Sequence, residues 1–211
     1  MDREHTNSRL SILNRRAFYL SCFTVAYNLA EGICSLLAGG MADSSALIGF
    51  GFDSFIESLS GAIMIWRFKA LERMSPEKEA HLEKKAIRLV GYSFFILGGY
   101  VMLESIGTLF SAIPPSPSLF GIIIAVFSLI IMPLLYILKV RTGDEIGSAS
   151  LVADASQTLA CVMLSAALLA GLCLNYLFGF WQADPLTGLI ITFYLFKEGR
   201  EALNKGKLCS C

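Results

Sequence analysis

Two acidic side chains lie four residues apart in an otherwise apolar stretch of the sequence. Asp53 and Glu57 occur in the run SSALIGFGFDSFIESLS, residues 44–60, which contains no Lys or Arg. A spacing of four places them on one face of a helix, about 6 Å apart along its axis. Ionisable groups deep in an apolar span are costly and are usually functional. The pair therefore predicts a site that handles a cation or protons.

The composition indicates the environment of this pair. The chain has 211 residues, of which 55% are hydrophobic and only 16% are charged, and its mean hydropathy is +0.63. These values predict an integral membrane protein. The six cysteines form no CxxC pair and no disulfide framework. For Cys209 and Cys211 in the tail, free thiols, a metal relay and palmitoylation all stay open.

Six apolar segments are long enough to cross a membrane, at about 20 residues each. We place them near residues 17–39, 45–66, 87–112, 118–138, 148–175 and 184–203. All 17 Lys and Arg residues lie in residues 3–16, 67–88, 139–141 and 197–207. The positive-inside rule then puts both termini and the even-to-odd connections in the cytoplasm.

The predicted fold class is an all-α membrane protein with six transmembrane helices. Its parts are a cytoplasmic N-terminal tail (1–16), a six-helix transport domain (17–203) with a cytoplasmic charged segment (67–88), and a short C-terminal tail (204–211). The charged helix that begins at Pro76 is expected to run unbroken into the third span.

A weak internal repeat relates spans two and five. SALIG at residues 45–49 resembles ASLVA at residues 149–153, an offset of 104. This offset aligns Asp53 with Gln157 and Glu57 with Cys161. The two spans cross in opposite directions, as in an inverted-repeat transporter with a site near the midplane. Coincidence is the alternative, since small and apolar residues match easily.

Four side chains from these two spans form the predicted metal site. Antiparallel packing would put Asp53 level with Cys161 and Glu57 level with Gln157. Four donors suit a tetrahedral ion such as zinc. A thiolate favours zinc, cadmium or cobalt over magnesium or calcium, although Gln is a poor zinc ligand. The alternative is a hydrogen-bonded acid pair, with Gln157 bonding across helices and Cys161 filling space.

Other polar residues in the spans are candidates for secondary ligands or a proton relay. They are Asn28, Glu31, Glu104, Asp154 and Asp184. Each could equally tie helices together, and this structural role is favoured for Glu104 and, as a helix cap, for Asp184. All Lys and Arg residues are assigned to the cytoplasmic side, so no ordinary ion pair is expected for Asp53 and Glu57.

Three runs of the sequence resemble the cation diffusion facilitator family in a short form without the cytoplasmic domain. They are SSALIGFGFDSFIES, SASLVADASQTLAC and GFWQADPLTGLIITFYLFKEGREAL, and the resemblance extends from about Asn28 to Leu203. The family places acids at Asp53 and Glu57, and commonly His and Asp where this chain has Gln157 and Cys161. Asp154 and Asp184 match acids that flank the site and open span six. The resemblance implies divalent metal export driven by proton exchange, usually by a dimer.

These observations predict a secondary transporter rather than an enzyme. The expected cargo is zinc, with cadmium, cobalt, iron and manganese as alternatives, exported by proton antiport across the cell (inner or plasma) membrane. We expect a homodimer in the lipid bilayer, with no prosthetic group and no nucleic-acid partner. One alternative is a non-transporting metal-binding partner subunit of the same fold. Another alternative is an intramembrane enzyme. Its only support is a loose GxGD-like arrangement at residues 51–53.

Overall fold

Six α-helices make up almost all of the described chain. The computed structural model describes residues 2–41, 45–71, 76–111, 119–178 and 182–208, and within these residues it contains helices and no strand. The helices are α1 (Asp2–Met41), α2 (Ser45–Leu71), α3 (Pro76–Ser111), α4 (Leu119–Ile146), α5 (Ala149–Phe178) and α6 (Ala183–Leu208). The predicted all-α class is confirmed.

Five of these helices are long and apolar enough to cross a membrane. The candidate spans are Leu10–Met41, Leu47–Ala70, Ala80–Phe110, Leu119–Ile146 and Ala149–Gly171. Among the described residues, α6 does not reach the same hydropathy, and its second half carries charged side chains. The chain is therefore a multi-pass membrane protein, while six spans, the cytoplasmic termini and the inverted repeat stay predictions.

The helix bounds differ from the predicted spans mainly on the predicted cytoplasmic side. Residues 2–16, assigned to a tail, form the start of α1. The charged segment from Pro76 is continuous with α3, as expected. Helix α4 runs through Pro133 and past the predicted end at residue 138 to Ile146.

A two-residue turn joins α4 to α5. Gly147 has φ of 66°, and the N–H groups of Gly147 and Ser148 donate to the carbonyls of Asp144 (3.3 Å) and Gly143 (2.8 Å). This is the Schellman pattern, which needs a left-handed residue after the helix. Ser148 then caps α5, because its Oγ accepts from the N–H of Leu151 at 3.2 Å. The short turn makes α4 and α5 an antiparallel pair.

Glycines allow close approach in two of the three most extensive helix pairings, which are α1 with α2, α3 with α6 and α4 with α5. A Cβ added at Gly32 would lie 3.0 Å from the carbonyl oxygen of Gly51, and one at Gly199 would lie 3.2 Å from that of Gly91. Small residues permit such contacts between membrane helices. Helix α5 also touches α2, α3 and α6, so it lies centrally.

The apolar core and the outer surface fit a helix bundle in lipid. The main core cluster joins α1, α2, α3, α5 and α6 through side chains such as Met64, Phe94, Leu97 and Leu195. Large apolar side chains also point outward, Phe110 with 88% exposure among them. Such a surface needs an apolar surrounding.

Candidate metal-transport site

Asp53 and Glu57 lie on the face of α2 that is buried against α5. Their exposures are 2% and 1%. Both carboxylates have the Cys161 thiol of α5 as a neighbour. None of their four oxygens accepts a well-aligned hydrogen bond from a described residue, although the Cys161 thiol lies near both carboxylates and the Thr158 hydroxyl lies near Glu57. Buried polar atoms without partners are rare in folded proteins and call for an explanation.

Gln157 points away from this pair, toward α3. Its Oε1 accepts a hydrogen bond from Ser93 Oγ at 2.9 Å, and its Nε2 has no partner among the described residues. The neighbour of Glu57 one turn before Cys161 is Thr158 instead. The structure thus brings together Asp53, Glu57 and Cys161 of the predicted set and leaves Gln157 beside them on another face.

Glu31 of α1 lies next to the site, and Asn28 precedes it by about one helical turn. Glu31 Oε2 accepts from Ser54 Oγ at 2.9 Å, and its Oε1 accepts from the Tyr27 hydroxyl at 3.2 Å. Glu31 is an electrostatic neighbour of Asp53. Both side-chain amide atoms of Asn28 are buried without a partner in the described part of the chain. The site therefore extends into α1.

The expectation that no Lys or Arg lies near Asp53 and Glu57 in the membrane is wrong, because Lys139 lies in this region. It was assigned to the cytoplasmic connection between spans four and five, but it lies within α4 and is fully buried. Its Nζ lies 2.8 Å from Asp154 Oδ2 and donates to Thr158 Oγ1 at 2.9 Å. Lys139 and Asp154 both act electrostatically on Glu57.

Asp154 uses its second oxygen as well. Ser60 Oγ of α2 donates to Asp154 Oδ1 at 2.5 Å. Since both oxygens are engaged, Asp154 connects α2, α4 and α5. This arrangement fits the structural alternative for Asp154 rather than a role as secondary ligand.

The remaining candidates lie farther from the pair. Glu104 of α3 is half-buried, lies against Gly49 of α2 and is an electrostatic neighbour of Asp53 and Tyr100. Asp184 belongs to the first turn of α6, but its side chain lies outside the described residues. Cys209 and Cys211 also lie outside them.

A buried polar stripe runs along α5 past the site. Its members recur at helical spacing and are Ser150, Asp154, Thr158, Cys161 and Ser165. Fifteen residues of helix correspond to about 22 Å, most of the thickness of a membrane core. At its predicted cytoplasmic end Glu83 of α3 accepts from the Ser150 N–H at 2.7 Å and pairs with Arg67 of α2.

Comparison with known sequences identifies the family. The cation efflux transmembrane domain matches residues 22–207 of this chain. The chain belongs to the cation efflux family. This family consists of membrane transporters rather than enzymes, so membership agrees with the resemblance seen in the three sequence runs.

The relatives of this cation efflux chain include proteins from animals and bacteria. It is 24% identical over 190 residues to transmembrane protein 163 of Xenopus laevis, covering 90% of this chain and 66% of that protein. It is 22% identical over 181 residues to the magnetosome protein MamB of Magnetospirillum gryphiswaldense, covering 86% and 61%. The MamB of Paramagnetospirillum magneticum is 21% identical over 179 residues, covering 85% and 60%. This chain spans less than two thirds of the length of each.

In this cation efflux chain the candidate donors Asp53, Glu57 and Cys161 are neighbours, but they do not surround a single point as metal ligands would. Within the described residues, no three His, Cys, Asp or Glu side chains are arranged to hold a metal ion. The unpartnered oxygens of Asp53 and Glu57 and the Cys161 thiol nevertheless form a donor set that suits a transition metal.

Lys139 is the residue of this region that sequence reasoning missed. The signal was present in α4, where the buried residues recur at helical spacing: Gly121, Ala125, Ser128, Met132, Leu135, Lys139 and Thr142. Lys139 continues this face. Because Lys139 lies close to Arg141 in the sequence, both residues were assigned to a cytoplasmic connection by the positive-inside rule.

Proposed function

We propose that this chain exports a divalent transition metal, zinc in first place, in exchange for protons. Asp53, Glu57 and Cys161 would hold the ion in transit. One observation carries the proposal: the four carboxylate oxygens of Asp53 and Glu57 are buried beside the Cys161 thiol and, for Glu57, the Thr158 hydroxyl, without a well-aligned hydrogen bond from a described residue. A cation would satisfy them, whereas leaving them ionised and unpaired would be strongly unfavourable.

The donor types favour zinc, cadmium or cobalt. Two carboxylates and one thiolate combine hard and soft ligands, a mixture that suits these ions better than magnesium or calcium. Gln157 would complete a tetrahedral set if its side chain turned from Ser93 of α3 toward α2. A rotation of this kind is a small change that could separate an empty state from a loaded one.

Proton exchange follows from the same ligands. Carboxylates and thiols bind metal only when deprotonated, so protons and metal compete for one site. Protons that arrive from the outer side would displace the metal outward. In the proposal, α2 and α5 carry the ion between inward- and outward-facing states of a homodimer.

A second function is favoured by the orientation of Gln157. Its hydrogen bond to Ser93 leaves only three of the four predicted donors near one another. A chain held in this arrangement could bind metal as a partner subunit without transporting it.

Flux measurements separate these functions. We expect the purified chain in liposomes to move zinc when a pH gradient is imposed, and Asp53→Asn to reduce this flux at least about 100-fold, because it removes a charged ligand. Asp144→Asn, an exposed acid in α4, is the matched control and should transport normally. Binding without flux for zinc, cadmium, cobalt, iron and manganese would favour the partner-subunit function. Normal flux in Asp53→Asn would refute the site.

A further inference from the structure

We propose that Lys139 acts as a fixed internal counter-cation that cancels the charge of Asp154 beside the transport site. Asp154 then adds no further negative charge to the carboxylates of Asp53 and Glu57, which face a divalent cargo. This inference rests on the proposed function of that acid pair. Lys139 would be a specificity-determining residue that contacts no metal.

The Lys139–Asp154 ion pair is buried and is held by contacts with neighbouring helices. Lys139 Nζ lies 2.8 Å from Asp154 Oδ2 and 2.9 Å from Thr158 Oγ1, and the side-chain exposures of Lys139 and Asp154 are 0% and 1%. Ser60 Oγ holds the other oxygen of Asp154 at 2.5 Å. Both partners are therefore fixed by helices α2, α4 and α5, with Ser60 against one oxygen of Asp154 and Lys139 against the other.

The ion pair lies one layer below the acid pair. Along α5, Asp154 is one turn from Thr158, and Thr158 is a neighbour of Glu57. Glu57 is subject to the opposing fields of Lys139 and Asp154. The charge of one partner alone would act strongly at this distance, because surroundings of low dielectric screen it weakly.

Stability alone does not explain such a pair. Removing two charges from water is expensive, and apolar residues of similar volume often replace a buried ion pair without loss of stability. The pair does have a clear electrostatic consequence for its surroundings. Without Lys139, the charge of Asp154 would add to those of Asp53, Glu57 and the neighbouring Glu31.

The charge balance then affects how tightly the cargo is held. With Lys139 present, Asp154 adds no net charge to the loaded site, which an apolar surrounding favours. Without it, the loaded site would keep one excess negative charge on Asp154. That charge would hold the metal more tightly and slow its release.

Transport kinetics of charge variants test this role. Zinc flux is measured in proteoliposomes for the wild-type chain, Lys139→Met and Lys139→Met/Asp154→Asn. We expect Lys139→Met to lower both KM and kcat by roughly tenfold, the order expected for one weakly screened charge. The double variant, which restores the charge count, should return both values to within about twofold of the wild type. The exposed ion pair Lys197–Glu201 of α6 provides the matched control, and Lys197→Met/Glu201→Gln should change neither value.

Each contrary result has a distinct meaning. An unchanged KM in Lys139→Met, with normal wild-type flux, would overturn the charge assignment alone. Equal losses of kcat in the single and double variants without a change in KM would show a purely structural pair and would also overturn it. A wild-type chain that neither binds nor moves any tested metal would overturn the proposed function and this inference together.

Discussion

Cys161 gives the candidate site a sulfur donor beside two carboxylates. It is buried in α5 and faces both Asp53 and Glu57. Magnesium and calcium prefer oxygen alone, whereas zinc and cadmium accept thiolate readily. At the scale of single residues, Cys161 should therefore decide which ions compete best for the site.

Replacing this thiol should change the cargo preference. We expect Cys161→Ser to lower cadmium and zinc flux by about tenfold while manganese flux changes little, because a hydroxyl is a harder donor. The measurement is the ratio of cadmium to manganese uptake in proteoliposomes. Cys34→Ser, an exposed thiol of α1, is the control. The same ratio in Cys161→Ser as in the wild-type chain would show that sulfur does not bind the cargo.

The sequence predicted the acid pair of this site but not its surroundings. Asp53 and Glu57 stand out because no base occurs in their run. The position of Lys139 depends on how far α4 extends toward the cytoplasm, which charge clustering alone predicts poorly. The orientation of Gln157 depends on Ser93 of α3, a contact between distant segments that has no local signal.

Helix packing at glycine controls the relative position of α3 and α6. A Cβ on Gly199 would lie 3.0 Å from Phe94 Cβ and 3.0 Å from Phe95 Cε2. These neighbours must give by a few tenths of an ångström to admit a methyl group, and the Cβ of Phe94 is held by the backbone of α3. Contacts of this kind fix the bundle that holds the site.

A single methyl group at this contact should destabilise the protein. We expect Gly199→Ala to lower the free energy of unfolding by about 1–3 kcal/mol through overpacking. Gly99→Ala in α3 is the matched control, because an added Cβ there meets nothing within 4 Å. Thermal unfolding in detergent compares the two variants. A Gly199→Ala protein that unfolds no earlier than Gly99→Ala would contradict the close contact.

The sequence was sufficient to predict that the six helices exist, but it predicted less well where each helix begins and ends. Long apolar runs located all six helices, because apolar length is a strong signal. The charged start of α3 was also predicted. The extensions of α1 back to Asp2 and of α4 to Ile146 were not, since polar helical turns beyond an apolar run resemble loops in composition.

At the scale of the whole molecule, the number of membrane crossings decides on which side of the membrane each terminus lies. Among the described residues, five helices are long and apolar enough to cross a membrane, and α6 is less apolar. Six spans put both termini on the same side, and five put them on opposite sides. The distribution of Lys and Arg predicts six, with the termini in the cytoplasm.

Terminal reporters test this topology. We expect fluorescent reporters that fold only in the cytoplasm to be active at either end of the chain, because six crossings return it to the side on which it began. A reporter in the connection between α1 and α2 should be inactive and serves as control. Activity at the N-terminus without activity at the C-terminus would show that α6 does not span.

The most direct test of the account is X-ray absorption at the zinc edge of the metal-loaded protein. We expect one sulfur at about 2.3 Å together with oxygen or nitrogen donors at about 2.0–2.2 Å. The sulfur contribution should disappear in Cys161→Ser, and Asp53→Asn should lose bound zinc. A shell of oxygen and nitrogen alone, unchanged in both variants, would contradict a transport site at Asp53, Glu57 and Cys161.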